Sequence, residues 1–226
     1  MSTIVIAQTP PSEISEELDP CVHFSPSEER VDFYIDMRLE QKLVPMSVPK
    51  IFLEDGWDHV DGARHGSQLF RVTVDTFEPV SRRQASLQNQ QGIHNRMSFL
   101  VGDKIAPEGL AAVDLWGADP GVQDAQFEDY TLEPSDHGLL RAVPLGTDPQ
   151  RNVYFALDET KTPEVIISCG MQGKSNFPGC SHRFRASGMD VSASYRIAEL
   201  PNWPVIQTKI SQFLQCATTY YNQEDI

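Results

Sequence analysis

The sequence has no long apolar run and is short of basic side chains. Its apolar stretches are short: Val153 to Leu157 holds five residues, and Ser168 interrupts the stretch from Val165 to Cys169, whereas a membrane-spanning helix needs roughly 18. Among 226 residues there are 18 Lys and Arg against 32 Asp and Glu, which gives a formal net charge of -14. The sequence therefore predicts no membrane span, and it argues against binding nucleic acid or anionic lipid, which attract basic proteins.

Common catalytic and cofactor motifs are also absent. The chain has no GxGxxG or GxxxxGK[ST] loop, no HExxH, no GxSxG and no CxxC. The sequence therefore gives no motif that would indicate nucleotide binding, common zinc hydrolase chemistry or thioredoxin-type redox chemistry. From these absences we expect a protein with no cofactor and no enzyme activity.

One short segment does combine residue types that bind divalent metals. It offers two carboxylates and two imidazoles, at Asp58, His59, Asp61 and His65. Gly62 interrupts helical geometry, and the spacing matches no familiar ligand set. Polar surface residues around a turn are the favoured interpretation, with a metal-assisted hydrolase as the alternative.

The four cysteines, Cys21, Cys169, Cys180 and Cys216, do not form the close pairs of a structural zinc site. Cys169 and Cys180 flank a loop rich in Gly and Pro between two strand-like segments, so a cross-strand disulfide fits an oxidising compartment. The start of the chain shows no basic segment followed by a signal-type apolar run. The sequence as written predicts a cytoplasmic protein with free thiols, or a periplasmic one if a leader has been removed.

Acidic residues are concentrated in two stretches. Residues 1–29 contain six and residues 105–140 contain eight, and neither stretch contains Lys or Arg. Solvated loops that keep the protein soluble are the simpler explanation. The alternative is a docking surface for a basic protein, because aromatic residues rimmed by charge are typical of interfaces. The predicted partner-binding residues are Asp114, Trp116, Asp119, Asp124, Phe127, Glu128 and Asp129.

Alternation of apolar and polar residues predicts several short strands. The clearest are 31–39 and 68–77, followed by a hairpin of 182–186 and 190–196 around a Ser187-Gly188 turn. Further strands are predicted at 97–101, 139–143, 152–157 and 165–168. Because short turns connect them, we expect a mainly antiparallel sheet.

The end of the chain predicts an amphipathic helix beginning near Pro201. Its apolar positions recur at steps of three and four, at Trp203, Ile206, Ile210, Phe213, Leu214 and Ala217. The predicted class is α+β, with this helix packed on the hairpin. Residues 1–20 are predicted to form a flexible acidic arm, and residues 21–226 a single α+β domain, or two small subdomains with a boundary within 105–140. Prolines and glycines argue against long regular elements in that acidic stretch.

The hairpin and helix also carry a family resemblance of about thirty residues. It consists of Phe177-Pro178-Gly179-Cys180-Ser181-His182-Arg183-Phe184, then Gly188, Tyr195, Leu200, Trp203 and Ile206. This segment resembles the end of small bacterial immunity proteins associated with type VI secretion or polymorphic toxins. The resemblance implies a hairpin closed by a helix that a tryptophan anchors, and it transfers no functional residue. The sequence lacks the leader and lipobox cysteine of lipoprotein members of that group.

Charge and resemblance together predict a non-catalytic binding protein. The most concrete hypothesis is an immunity protein that occludes the active site of a basic cognate toxin through its acidic surface. Besides the metal-assisted hydrolase, an accessory component of a phage or secretion apparatus is an alternative.

Overall fold

Eleven strands and three α-helices lie in the part of the chain that the computed structural model describes, which is residues 11–15, 17–25, 27–54, 56–122, 124–171, 173–174 and 178–221. The strands are β1 Arg30–Met37, β2 Lys42–Pro49, β3 Ala63–His65, β4 Ser67–Thr73, β5 Arg96–Gly102, β6 Leu132–Pro134, β7 Leu140–Ala142, β8 Arg151–Leu157, β9 Pro163–Gly170, β10 Gly179–Ala186 and β11 Met189–Arg196. The helices are α1 Arg82–Gln90, α2 Pro107–Ala118 and α3 Trp203–Tyr221. The predicted α+β class is confirmed.

The strands form two sheets of unequal size. The larger has eight antiparallel strands in the order β4-β5-β11-β10-β9-β8-β7-β6, and the smaller has the order β2-β1-β3. The predicted hairpin is β10 and β11 at the middle of the large sheet, paired from Gly179↔Arg196 to Ala186↔Met189. Ser187 and Gly188 have positive φ angles of 48° and 78°, as a tight two-residue hairpin turn requires.

The main core lies between the large sheet, the small sheet and α3. Phe213 of α3 is fully buried at its centre, and its ring lies 4.9 Å from Phe52, 5.3 Å from Phe70 and 5.7 Å from Phe99, measured between centroids. The predicted C-terminal helix is therefore confirmed, and it packs on the hairpin strand β10 as well as on β2. Among the described residues, no helix is both long and apolar enough to cross a membrane.

A second core lies on the opposite face of the large sheet, under α2. Ala111 and Leu115 pack against Val153, Phe155 and Ile166 of β8 and β9. The expectation that residues 105–140 lack long regular structure is wrong here, since α2 has 12 residues. A proline in the first turn costs a helix little, and packing of the inner face outweighs the low helix propensity of two glycines.

Strand β2 is another difference from the sequence-based expectation, which had only a short extended piece between Pro45 and Pro49. Eight residues of β2 pair with β1, including Pro45 opposite Tyr34. Prolines are tolerated because β2 is at the edge of its sheet, where one side needs no ladder partner.

The cysteines form two disulfides, Cys21–Cys216 and Cys169–Cys180. The expectation of free thiols is wrong, because none of the four is free. Cys169 and Cys180 are directly opposite each other on β9 and β10. Cys21 and Cys216 are 195 positions apart, so no local sequence pattern indicated their pairing.

The described residues of the predicted N-terminal arm contact the rest of the protein. The Ser12 amide and hydroxyl donate to the buried Glu199 carboxylate at 2.9 and 2.8 Å. Lys209 of α3 donates to the Leu18 carbonyl. Residues 1–10 and 16 lie outside the described residues, so the flexible arm stays a prediction for them. The domain boundary within 105–140 also stays a prediction.

Candidate partner-binding site

The outer face of α2 is apolar and exposed. Val113 and Trp116 are 54% and 40% exposed, and Ile105, just before the helix, is 50% exposed. Gly109 lies on the same face at helical spacing and is also exposed. A surface helix normally turns polar residues outward. This apolar strip is therefore a candidate surface for binding another molecule.

Trp116 is held in place while part of its ring stays accessible. Its indole Nε1 donates to the Ala125 carbonyl at 2.8 Å, which joins the end of α2 to the segment that follows. A fixed tryptophan loses little conformational freedom on binding, so it is suited to anchoring an interface.

Acidic side chains lie on the segment that follows α2. Asp124, Glu128 and Asp129 are exposed, and among the described residues none of them forms an ion pair. Asp129 accepts from the Gln126 amide at 2.8 Å. Phe127 fixes the segment, because its half-buried ring lies 4.9 Å from that of Phe155.

Two of the acids predicted to bind a partner have structural partners instead. Asp119 is 2% exposed, and its Oδ2 accepts from the Leu145 and Gly146 amides at 2.7 and 2.8 Å. Asp114 accepts from Nε of Arg183 at 2.7 Å. The structure therefore places Trp116, Asp124, Glu128 and Asp129 at the surface, Phe127 half-buried, and Asp114 and Asp119 in contact with the body of the protein.

A cleft of about 520 Å³ lies beside the start of α2. It opens where β9 and β10 separate, because their pairing stops at Arg183↔Ile166 although β10 continues to Ala186. Its lining includes Leu100, Ile105, Leu110, Glu164 and Ser192. Ile105 belongs both to this lining and to the exposed strip, so the two surfaces are continuous. Nothing in the sequence pattern indicated this cleft, since it depends on where two strands part.

The metal-ligating residue types do not converge on one site. Asp58 accepts from Gln68, His59 contacts the Leu53 carbonyl, and Asp61 accepts from the Asp32 amide. His65 packs edge-on against the Phe33 ring. In the described parts of the chain, no group of three or more His, Cys, Asp or Glu side chains is arranged to hold a metal ion.

The other prominent titratable group lies inside the main core. His182 is fully buried, and its Nδ1 and Nε2 are each 3.2 Å from a partner, Tyr195 Oη and Gln207 Oε1. Burial lowers the pKa of His182 from 6.5 to about 4, and the contact with Gln207 opposes this only partly. His182 is therefore neutral at pH 7 and has a structural role.

No protein-family model matches the chain, and no curated protein matches it. Two solved structures share its fold. One is Smlt3025, an immunity protein of the Stenotrophomonas maltophilia type IV secretion system, with a TM-score of 0.56 and 12% identity over 76% of this chain and 89% of that one. The other is the Neisseria meningitidis iron-regulated outer membrane lipoprotein FrpD, with a TM-score of 0.51 and 13% identity over 85% and 93%. At these identities the likeness shows the fold.

Proposed function

We propose that this chain is a non-catalytic, immunity-type protein that binds a basic toxin and blocks its active site. The observation that carries the proposal is the exposed apolar face of α2, with Val113 and Trp116, next to the exposed acids Asp124 and Glu128. Apolar anchors beside charge are the usual composition of a protein interface. The fold shared with Smlt3025, itself an immunity protein, supports this proposal.

Electrostatics favours a basic partner. The chain has a net charge of -14, and opposite potentials accelerate association and select between partners. Many toxin active sites that act on nucleic acid or on anionic polymers are themselves basic, because positive charge attracts such substrates. A negative surface that covers such a site therefore competes directly with the substrate.

The two disulfides support a site of action outside the reducing cytoplasm. Disulfides persist in the periplasm and in secreted proteins, and they are rare in the cytosol. We infer that this protein meets its partner in an oxidising compartment. The cytoplasmic alternative, which the start of the sequence suggested, carried an expectation of free thiols, and none of the four cysteines is free.

Co-expression with the product of the neighbouring gene tests the function. We expect that product to arrest growth alone, and the intact chain to restore growth and bind it in a calorimeter. Val113→Ser with Trp116→Ala should weaken binding about tenfold or more, because the anchors are lost. Asp124→Lys with Glu128→Lys should slow association about tenfold at low salt.

Glu78→Lys is the matched control for charge. Glu78 is exposed just beyond β4, at the edge of the large sheet away from the strands that α2 covers. This variant should bind with unchanged affinity. A neighbouring product that is harmless, or that the chain does not bind, would end the proposal.

A further inference from the structure

The two cations that line the cleft beside α2 are already paired. Arg183 donates to Asp114 at 2.7 Å. Arg185 donates from Nε to Asp190 at 3.0 Å, and from Nη2 to the Ile105 carbonyl at 2.8 Å. Their positive charges are therefore compensated within the protein, and the cleft is poorly suited to an anion.

Three carboxylates in the lining have no cationic partner among the described residues. Asp103 accepts from the Leu39 and Lys104 amides, and Asp158 accepts from Thr160 and Thr162. The Glu164 side chain is exposed and makes no hydrogen bond with any residue that the structure describes. The uncompensated charge around the cleft is therefore negative.

Apolar side chains form part of the walls between these acids. Leu100 and Ile105 are 41% and 50% exposed at the cleft, and Leu110 also lines it. Walls of low dielectric constant strengthen the field of nearby charges. The cleft therefore combines an apolar surface for a carbon chain with carboxylates for a cationic end, which matches the side chains of Lys and Arg.

We propose that this cleft receives a basic segment of the partner protein, with at least one Lys or Arg side chain inserted between Glu164 and the start of α2. This inference rests on the proposed function, because the basic segment belongs to the toxin that binds the α2 surface. The cleft is continuous with that surface through Ile105. The sequence at residues 1–10 and 222–226 is not basic, since residues 1–10 have no charged side chain and the charged side chains of residues 222–226 are both acidic.

Fluorescence anisotropy with labelled pentapeptides tests the cleft without the toxin. The probes are Leu-Arg-Leu-Arg-Leu, the same sequence with Gln or Glu in place of Arg, and a peptide of residues 1–10 of this chain. We expect only the Arg peptide to bind, and its affinity to fall as salt is raised. Equal binding of the Gln peptide, or stronger binding of the Glu peptide or of residues 1–10, would overturn the proposal.

Variants locate the binding. Glu164→Gln should weaken binding of the Arg peptide about fivefold, and Glu164→Lys about tenfold or more. Glu159→Lys is the matched control, because Glu159 is exposed nearby but does not line the cleft. Ser192→Tyr keeps the charge and fills the cleft, so it should also abolish binding. Full affinity in Ser192→Tyr would place the peptide elsewhere and overturn the proposal.

Failure here is distinguishable from failure of the proposed function. If the toxin binds through α2 but the Arg peptide does not bind, only the cleft proposal is overturned. If the neighbouring product is harmless, the proposed function fails whatever the peptide does. A dimer in sedimentation velocity that Glu164→Lys dissociates would assign the cleft to a second copy of this chain, and would overturn the proposal too.

Discussion

Arg183 on β10 and Asp114 on α2 form an ion pair of 2.7 Å that joins the helix to the sheet. The two side chains are 29% and 12% exposed. Burial raises the pKa of the Asp114 carboxyl, and the positive charge of Arg183 opposes that rise. The helix that carries the proposed interface therefore depends on a partly buried charge with one nearby hydrogen-bonded counterion.

Removal of Arg183 should destabilise the protein more at pH 7 than at pH 4. Arg183→Met leaves the Asp114 charge without that counterion, and we expect a loss of about 1–3 kcal/mol in the free energy of unfolding at pH 7. Without Arg183, the folded-state pKa of Asp114 rises further above its value in the unfolded chain. The folded variant therefore loses stability as the pH rises and Asp114 is ionised, so the difference from the intact protein is larger at pH 7 than at pH 4. Urea unfolding at both pH values measures it.

Arg38→Met is the control for that measurement. Arg38 is 78% exposed and pairs with Asp36 at 3.5 Å, and such surface pairs stabilise proteins little. It should unfold like the intact protein at both pH values. A loss in Arg183→Met that is the same at pH 4 and pH 7 would contradict the role given to Asp114.

The lowered pKa of the buried His182 predicts a loss of stability in mild acid. The unfolded chain binds a proton at His182 below the ordinary pKa of 6.5, whereas the folded protein binds it only near the lowered pKa of about 4. The unfolded state therefore holds more protons between these values, and the free energy of unfolding falls as the pH drops through that window, by about 3 kcal/mol in total from this group. Urea unfolding at intervals between pH 7 and pH 4 measures the slope.

His182→Gln should remove that part of the slope, although it lowers stability at pH 7. His137→Gln is the matched control, because solvent reaches His137, and it should keep the slope of the intact protein. An unchanged slope in His182→Gln would show that other groups cause the acid sensitivity.

The two disulfides should differ in how much they stabilise the protein. Cys21–Cys216 joins residues 195 positions apart, and Cys169–Cys180 joins residues 11 apart. A cross-link over a longer loop removes more conformational entropy from the unfolded chain. Replacing both cysteines of a pair by Ala should cost about 5 kcal/mol for the first and about 3 kcal/mol for the second. Equal shifts in urea unfolding would contradict this order.

The elements predicted from the sequence are those with a clear period. β1 alternates buried and half-buried residues along its whole length, and α3 buries one face, so local patterns were sufficient for both. Helix α2 was missed because its outward face is apolar as well, which removes the 3.6-residue period. The apolar outward face that prevented the prediction of α2 is also the reason that α2 is the candidate interface.

The sequence located the acidic stretch but not the roles of its acids. Asp119 and Asp124 lie five positions apart with the same charge, yet one is buried and the other exposed. The difference depends on the segment at Leu145 and Gly146, whose amides contact Asp119 only in the folded chain. Contacts between residues so far apart in sequence leave no local pattern.

Asp119 and Asp124 should therefore respond oppositely to the same substitution. Asp119→Ala removes the acceptor for two amides and should cost about 1–3 kcal/mol in the free energy of unfolding, with faster hydrogen exchange at Leu145 and Gly146. Asp124→Ala should cost less than that, because it loses only the tolerance of Asp for the positive φ of 69° at this position, and it should slow association with the basic partner. Gly146→Ala should act like Asp119→Ala, because a Cβ there would collide with the Asp119 carboxylate. If Asp124→Ala destabilises the fold while association stays fast, the exposed acids do not belong to the interface.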